Sequence, residues 1–309
     1  MTDVVISEFM DEASIREHLS GFEALYDPKL VDQPQRLHTV LADCRALVVR
    51  NRTPVRGPLL DAAPRLRVVG RLGVGLDNID VAACEARGIR VCPATGANDL
   101  AVAEYVICAA LLLLRRAWFA TTAVAAGQWP RIELIGRELG GKRLGLVGFG
   151  AIARLTARKA LALGMTVAAY DPFVEPGSDA WHGIERLELA PLLGASDVVS
   201  LHTPLTPQTR HLIDGAAIAR MRSGAILINA ARGGVLDEAA VIAALREGRL
   251  GGAALDVFET EPMTAASGEV WRQLPNLLLT PHIAGVTEES NVRVSQVVAR
   301  AVRDVLDGR

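Results

Sequence analysis

The segment Arg143-Leu-Gly-Leu-Val-Gly148-Phe-Gly150-Ala-Ile-Ala153 joins an apolar run of strand length to the start of a helix. Arg143 to Val147 reads as the strand, and Ile152 to Leu163 has helical spacing. Between them, Gly148-x-Gly150-x-x-Ala153 fits the dinucleotide-binding fingerprint with alanine in the third place. The first glycine permits the tight turn, the second lets the backbone approach a pyrophosphate, and the small third residue lets the helix pack closely on the strand. The helix N-terminus then faces the phosphates. Glycine-rich strand-to-helix turns are common, so the flanking strand and helix carry the inference. Asp171, in Tyr170-Asp171-Pro172-Phe173, ends the next predicted strand about 20 residues on. A carboxylate there can accept both ribose hydroxyls of NAD and would repel the 2′-phosphate of NADP. The alternative is that Asp171 only opens a turn before Pro172.

On the C-terminal side, strands are expected at Thr166 to Tyr170, Val198 to Leu201, Ala225 to Asn229, Gly252 to Asp256 and Leu277 to Thr280. Helices separate most of them, including Glu238 to Glu247. On the N-terminal side, Val4 to Ile6, Ala46 to Val49, Leu66 to Val69 and Ile89 to Val91 are short apolar runs, each followed by a turn or polar segment. That alternation predicts βα units on parallel sheets. Asn98 to Trp118 reads as one long helix capped by Asn98 or Asp99, with Glu104 in its early turns. Thr287 to Leu306 reads as another, with Thr287 as cap and Val294, Val297, Val298, Ala301 and Val305 at helical spacing. The fold class expected is α/β, with two Rossmann-like doubly wound parallel-sheet domains and a cleft between them.

A chain of 309 residues suggests roughly two domains. Half the residues are apolar, 22% are charged, and the net charge of -2 argues against a generic nucleic-acid binder. The opening MTDVVISEF has no basic segment, so no signal peptide is visible. Val106 to Leu114 is too short to span a bilayer, which needs about 20 residues, and reads as a buried helix. Cys44, Cys84, Cys92 and Cys108 show no C-x-x-C spacing, which suggests neither a zinc site nor a redox pair. They are expected to be small, reduced, buried side chains of a cytoplasmic protein. No metal, membrane or nucleic-acid partner is expected.

Three late segments carry the chemistry: Asn229-Ala-Ala-Arg232-Gly-Gly, Asp256-Val-Phe-Glu-Thr-Glu261-Pro and Thr280-Pro-His282-Ile-Ala-Gly285. Arg232 and Asp256 fall near the ends of predicted strands, where ligands bind in open α/β sheets. Arg232, Glu261 and His282 are therefore expected to reach one cleft. Oxidation of a 2-hydroxy acid needs a base for the hydroxyl proton as hydride leaves C2, and reduction needs the same group as an acid. Histidine titrates near neutrality and serves both directions. A neighbouring carboxylate orients the ring and stabilises its protonated form. Arginine holds a carboxylate through two parallel hydrogen bonds and polarises the adjacent carbonyl. A lone histidine is more often structural; its order after an arginine, a glutamate and a nucleotide fold is what argues here.

Nearer the N-terminus, Arg71-Leu-Gly73-Val74-Gly75-Leu-Asp77-Asn78-Ile-Asp80 follows a strand, and its backbone N–H groups can receive a substrate carboxylate. Val49-Arg50-Asn51-Arg52-Thr53 also follows a strand, and its two arginines can flank a second anionic group. The alternative is that they are ordinary solvated charges.

Together these segments resemble the D-isomer-specific 2-hydroxyacid dehydrogenase family. The resemblance runs from about Leu47 to the C-terminus. It is carried by the glycine loop at 71–80, Gly127-Gln-Trp129, Gly148-x-Gly150, Tyr170-Asp171-Pro172, His202-Thr203-Pro204 and the three late segments. It implies hydride transfer between NAD and C2 of a small anionic 2-hydroxy/2-oxo acid, with Arg232 binding substrate, Glu261 supporting the base and His282 as acid/base. It implies that Gly148, Gly150, Ala151, Ile152, Asp171, Thr203, Pro204, Ala230, Asp256 and Gly285 line the cofactor; Arg50, Arg52, Arg71, Val74 and Gly75 are the residues expected to serve the substrate. It implies a substrate domain of residues 1–97 plus 287–309, onto which the last helix packs back, an NAD domain of 98–286, and a homodimer built around the NAD domain and the long helix.

Arg52 occupies a position that varies in the family and adds a second charge beside Arg50, so a substrate with an anion at each end is expected. Within the family the chain looks most like members that oxidise (S)-sulfolactate to 3-sulfopyruvate, notably across Ser7 to Met10, Val49 to Thr53 and Arg71 to Asp80. Replacing the methyl of D-lactate by a sulfonomethyl group changes the label from R to S but not the spatial arrangement, so a D-specific site can accept it. D-3-phosphoglycerate and hydroxypyruvate or glyoxylate are the alternative substrates. No appended regulatory domain is expected, and so no feedback control by serine. An NAD-responsive, corepressor-like binding role is the alternative of another class. A formate dehydrogenase is disfavoured because that relative has an amide where Glu261 stands.

Overall fold

The computed structural model describes residues 2–116 and 120–309. The described chain forms two compact units, one from the residues up to Asn98 together with Val286–Arg309, the other from Asp99–Gly285.

The first unit holds β1 (Val4–Ile6), β2 (Ala24–Tyr26), β3 (Ala46–Val49), β4 (Val68–Arg71) and β5 (Arg90–Pro93) in one parallel sheet of order β2-β1-β3-β4-β5. Every residue of β1 and β3 is buried, as expected of a parallel sheet covered on both faces. The helix Glu288–Leu306 covers one face. Thr287 caps it by accepting a hydrogen bond from the Ser290 N–H, completing a capping box. Gly70 in β4 permits the contact: a Cβ there would lie 2.6 Å from Val298 Cγ1 and 2.9 Å from Val302 Cγ2. The buried stripe runs through Val294, Val298, Val302 and Val305, while Val297, expected on it, is 39% exposed. At 100° per residue, Val297 is turned away from the stripe and Val302 takes the inward place. Strand β2 was not expected from the sequence; it is a half-buried edge strand of only three residues, too short for Ala-Leu-Tyr to stand out. Strand β4 starts at Val68 rather than Leu66, because Ala46 pairs with Val68 and that register carries the strand to Arg71.

The second unit holds β6 (Arg143–Val147), β7 (Thr166–Tyr170), β8 (Glu185–Arg186), β9 (Val198–Leu201), β10 (Ala225–Asn229), β11 (Leu250–Leu255) and β12 (Leu277–Leu279). They form a parallel sheet of order β12-β11-β10-β9-β6-β7-β8. The chain runs outward from β6 to β8, then returns to the other side of β6 and runs out to β12. The switch point lies between β6 and β9, where open α/β sheets leave a crevice at the strands' carboxyl ends. Strand β8 escaped the sequence reading because two charged residues on an edge carry no apolar pattern. Strand β11 ends at Leu255, which places Asp256 in the loop after it.

The helix Asp99–Arg115 packs on the helix Ala151–Ala162 and on β10 and β11. Its expected last residue, Trp118, lies outside the described residues. Asn98 does not cap it: its buried Oδ1 has no partner among the described residues, and Asp99 is the first helical residue. All four cysteines are free. Cys44 and Cys84 are buried and Cys92 is half-buried, but Cys108 is exposed, contrary to expectation. It shares the outward face of its helix with Glu104 and Leu111, at spacings of four and three. No helix of the described residues is long and apolar enough to cross a membrane.

Candidate active site

The nucleotide end begins where β6 stops. Gly148 has φ +90° and donates its N–H to the Tyr170 carbonyl at 2.8 Å. A Cβ there would sit 2.7 Å from the His202 carbonyl oxygen, so both conformation and space demand glycine. Gly150 caps the helix Ala151–Ala162, and a Cβ on it would meet nothing within 4 Å. The helix's positive end therefore opens on space that no described atom fills. Ala153, by contrast, is fully buried against the sheet. Ala151 and Pro204 are exposed, and Ile152, Ala230 and Gly285 are half-buried.

Asp171 accepts the Phe149 N–H at 2.7 Å through Oδ2 and the Phe173 N–H at 2.9 Å through Oδ1. A carboxylate has about four lone-pair positions, so each oxygen keeps one for a ribose hydroxyl. Beside Gly148, the buried Oγ1 of Thr203 has no hydrogen-bond partner among the described residues. An orphaned hydroxyl next to a glycine turn and an open helix N-terminus fits a bound dinucleotide. Burial of the His202 ring pushes its pKa down to about 4, and its Nε2 lies 3.0 Å from Ser200 Oγ. It is neutral near pH 7 and adds no charge here.

The chemical end lies on the loops after β10, β11 and β12. Asn229 shapes the first: its Oδ1 accepts the Ala231 N–H at 3.0 Å and its Nδ2 donates to the Arg232 carbonyl at 2.9 Å. A Cβ on Gly233 would come within 1.9 Å of the Phe258 carbonyl carbon, so this loop lies directly on the segment leading to Glu261. Half-buried Arg232 donates through Nη1 to the Ala231 carbonyl at 2.5 Å.

Asp256 is 1% exposed and gathers the loop after β12 around its carboxylate. Oδ1 accepts from Thr280 Oγ1 at 2.6 Å and from the Ile283 N–H at 2.8 Å, and Oδ2 accepts the Ala284 N–H at 2.8 Å. Its backbone carbonyl accepts the His282 N–H at 2.8 Å. Burial raises the Asp256 pKa above its ordinary value despite these hydrogen bonds. Tyr105 Oη lies 2.6 Å from Thr280 Oγ1, and burial pushes its pKa up to about 12. His282 is thereby held at φ +56°, a left-handed conformation that its neighbours over-determine.

The ring of His282 donates from Nδ1 to Glu261 Oε2 at 2.8 Å. Glu261 Oε1 accepts the Phe258 N–H at 2.9 Å, which fixes the carboxylate. Burial pushes the Glu261 carboxyl up, but the hydrogen bonds from His282 and Phe258 and the charges of His282 and Arg232 outweigh it and hold the pKa below its ordinary value. With Nδ1 engaged, Nε2 is the ring nitrogen left to exchange a proton.

The family comparison fits this geometry. The model of the D-isomer specific 2-hydroxyacid dehydrogenase NAD binding domain matches residues 107–284. The chain belongs to the D-isomer specific 2-hydroxyacid dehydrogenase family. It is an NAD-dependent oxidoreductase, as its sequence implies. This dehydrogenase is 54% identical to an (S)-sulfolactate dehydrogenase of Chromohalobacter salexigens, over 100% of both chains. It is 41% identical over 280 residues to a D-3-phosphoglycerate dehydrogenase of Mycobacterium bovis, covering 90% of this chain and 52% of that one. It therefore spans about half the length of that relative. Among solved structures, D-lactate dehydrogenase from Aquifex aeolicus, complexed with NAD and lactic acid, superposes with a TM-score of 0.85 at 28% identity, over 99% of this chain and 96% of that one.

The dehydrogenase's first unit holds the residues expected to serve the substrate. Arg71 is buried, and its Nη1 donates to the Leu72 carbonyl at 2.8 Å. A Cβ on Gly73, φ +149°, would lie 2.1 Å from that nitrogen, so Arg71 packs directly against the glycine loop. Val74 is exposed and Gly75 half-buried above it. Arg50 and Arg52 have different partners. Arg50 donates from Nη2 to Asn291 Oδ1 at 2.6 Å and lies over the Phe9 ring, whereas Arg52 pairs with Asp32. Sequence reasoning gave no role to Glu8, Asn78, Tyr105 or Thr280. Glu8 left a faint signal, as a charge two residues after an apolar strand; Asn78 and Thr280 lay within motif segments, and Tyr105 left none.

Proposed function

We propose that this dehydrogenase oxidises (S)-sulfolactate to 3-sulfopyruvate, with His282 as acid/base. The hydrogen bond from His282 Nδ1 to Glu261, built on the buried Asp256 loop, carries the chemical part of this reading. Nε2 takes the C2 hydroxyl proton during oxidation and returns it during reduction. Glu261 stabilises the protonated ring. Arg232 holds the substrate carboxylate and polarises the C2 oxygen. Gly148, Gly150, Ala151, Ile152, Asp171, Thr203, Pro204, Ala230 and Gly285 hold the dinucleotide, and Asp256 offers its remaining acceptor position to a cofactor amide. NAD held by these residues would supply the hydride acceptor. The N–H groups of Val74 and Gly75 contribute to carboxylate binding.

The second anion is assigned to Arg50 and Arg52. Arg52 exchanges Asp32 for the sulfonate, a low-cost exchange because exposed ion pairs contribute about 0–1 kcal/mol. The full-length likeness to the Chromohalobacter enzyme supports sulfonate over phosphate. D-3-phosphoglycerate is the second reading, favoured by the Mycobacterium relative. The enzyme is read as a cytoplasmic homodimer. Trp129 is 78% exposed, with Ile132 and Ile135 exposed nearby, an apolar surface suited to a second copy of the chain.

NAD reduction with (S)-sulfolactate, (R)-sulfolactate, D-3-phosphoglycerate, D-malate, D-glycerate and D-lactate tests the reading. A kcat/KM lead for (S)-sulfolactate is expected. A lead for D-3-phosphoglycerate replaces the substrate, and absence of turnover with all six removes the catalytic assignment to these acids.

A further inference from the structure

Glu8 stands two residues beyond β1, and it is 5% exposed. A buried carboxylate must be compensated, and here the compensation comes from the backbone that follows β3. Oε1 accepts the Arg50 N–H at 2.9 Å and the Thr53 N–H at 3.0 Å, and Oε2 accepts the Arg52 N–H at 3.2 Å. Three amides of one four-residue loop thus converge on one side chain, the arrangement of a backbone anion nest. The nest is filled from within the chain.

Neighbouring groups close the loop from its other sides. Ser7 Oγ lies 3.0 Å from Thr53 Oγ1, both residues being fully buried. Asn78 donates from Nδ2 to the Thr53 carbonyl at 2.7 Å and to the Arg50 carbonyl at 3.3 Å. The backbone of 50–53 is therefore clamped on both its N–H and its C=O side. The Arg52 guanidinium stays at the surface on Asp32, while half-buried Arg50 reaches Asn291.

We propose that Glu8 is a positioning residue: by holding the N–H groups of Arg50, Arg52 and Thr53 it fixes where the two guanidinium groups stand, and so sets how tightly a substrate's second anion is bound. The nest's occupation by Glu8 also means that the second anion is read by side chains and not by these amides. This inference rests on the assignment of Arg50 and Arg52 to that anion.

The test is Glu8→Gln in the full-length enzyme. The amide has the same shape but turns an NH₂ group toward backbone donors, which breaks at least one of the three hydrogen bonds. Hydrogen exchange at Arg50, Arg52 and Thr53 should accelerate while the melt remains cooperative. KM for (S)-sulfolactate should rise about tenfold with kcat held, whereas KM for D-lactate, which has one anion, and KM for NAD should stay within about twofold. Unchanged exchange at 50–53, or equal KM changes for both acids, overturns the proposal. If the variant is insoluble, Glu8→Asp, which keeps the charge but shortens the reach, should give the same split at smaller size. If the wild-type enzyme favours a one-anion acid, the substrate reading fails on its own. Unchanged hydrogen exchange at 50–53 in Glu8→Gln, by contrast, overturns the positioning role whichever acid is favoured.

Discussion

The loop that carries His282 and the loop that carries Arg50 and Arg52 are built by the same device and used differently. In each, a buried carboxylate from one strand's end collects the amides of a loop following another strand. Asp256 gathers Ile283 and Ala284 with the Thr280 hydroxyl; Glu8 gathers Arg50, Arg52 and Thr53. The difference lies one bond further out. His282 is held again at its ring, by Glu261 at 2.8 Å, so backbone and side chain are both fixed. Among the described residues, the Arg52 side chain is held again by Asp32, an exposed partner. Proton transfer needs a reacting nitrogen placed to within a fraction of an ångström, whereas recognition of an anion tolerates a guanidinium that swings and exchanges partners. The anchored loop is expected to control rate and the exchangeable one affinity.

Replacing His282 is the strongest attempt to break that contrast. His282→Ala should lower kcat by about 10³-fold, within the usual range for a positioned acid/base, with KM for NAD little changed. Near-normal turnover would remove His282 from the chemistry. Glu261→Gln comes next. The amide keeps an acceptor for Nδ1 but loses the charge that stabilises the protonated ring, and a fall of about 10²-fold in kcat is expected. Its pH dependence has a definite sign. The Glu261 pKa is depressed on folding, so the pair's stabilisation is complete above the ordinary value of 4.5 and is lost as pH falls through the lowered one. The difference in melting temperature between wild type and Glu261→Gln should therefore be constant near neutrality and shrink on acidification below 4.5. A difference that grew on acidification would contradict the pairing.

Asp171 offers an intermediate case, since its carboxylate also collects two amides yet remains reachable at the nucleotide end. Asp171→Ala should reduce the preference for NAD over NADP about tenfold, measured as the ratio of kcat/KM values. An unchanged ratio would assign ribose recognition to another residue. Arg52→Ala should have the smallest effect. KM for a substrate with two anions should rise about threefold to fivefold, with kcat and KM for D-lactate unchanged, because Asp32 already competes for the guanidinium. Equal effects on both acids would make Arg52 an ordinary surface charge.

Local order in the chain was enough for much of this. Arg143 to Val147 as a strand, Gly148 and Gly150 in the turn after it, and the parallel alternation of strands and helices all follow from rules that act within one or two turns of chain, and the family with its NAD cofactor from the resemblance of motifs spread along the chain. A glycine at φ +90° or a buried apolar run leaves its mark in the sequence at the place where it acts. Other features depend on residues brought together from a distance. Glu8 meets its amide partners across sequence separations of 42 to 45. Asp256 meets the loop after β12 across 24 to 28. The inward turn of Arg71 and the pairing of Arg52 with Asp32 are likewise consequences of packing. A charged residue in a sequence does not announce whether folding will bury it in a nest of amides or leave it in water; desolvation and the nearest available donors decide that, and both exist only once the sheets have formed.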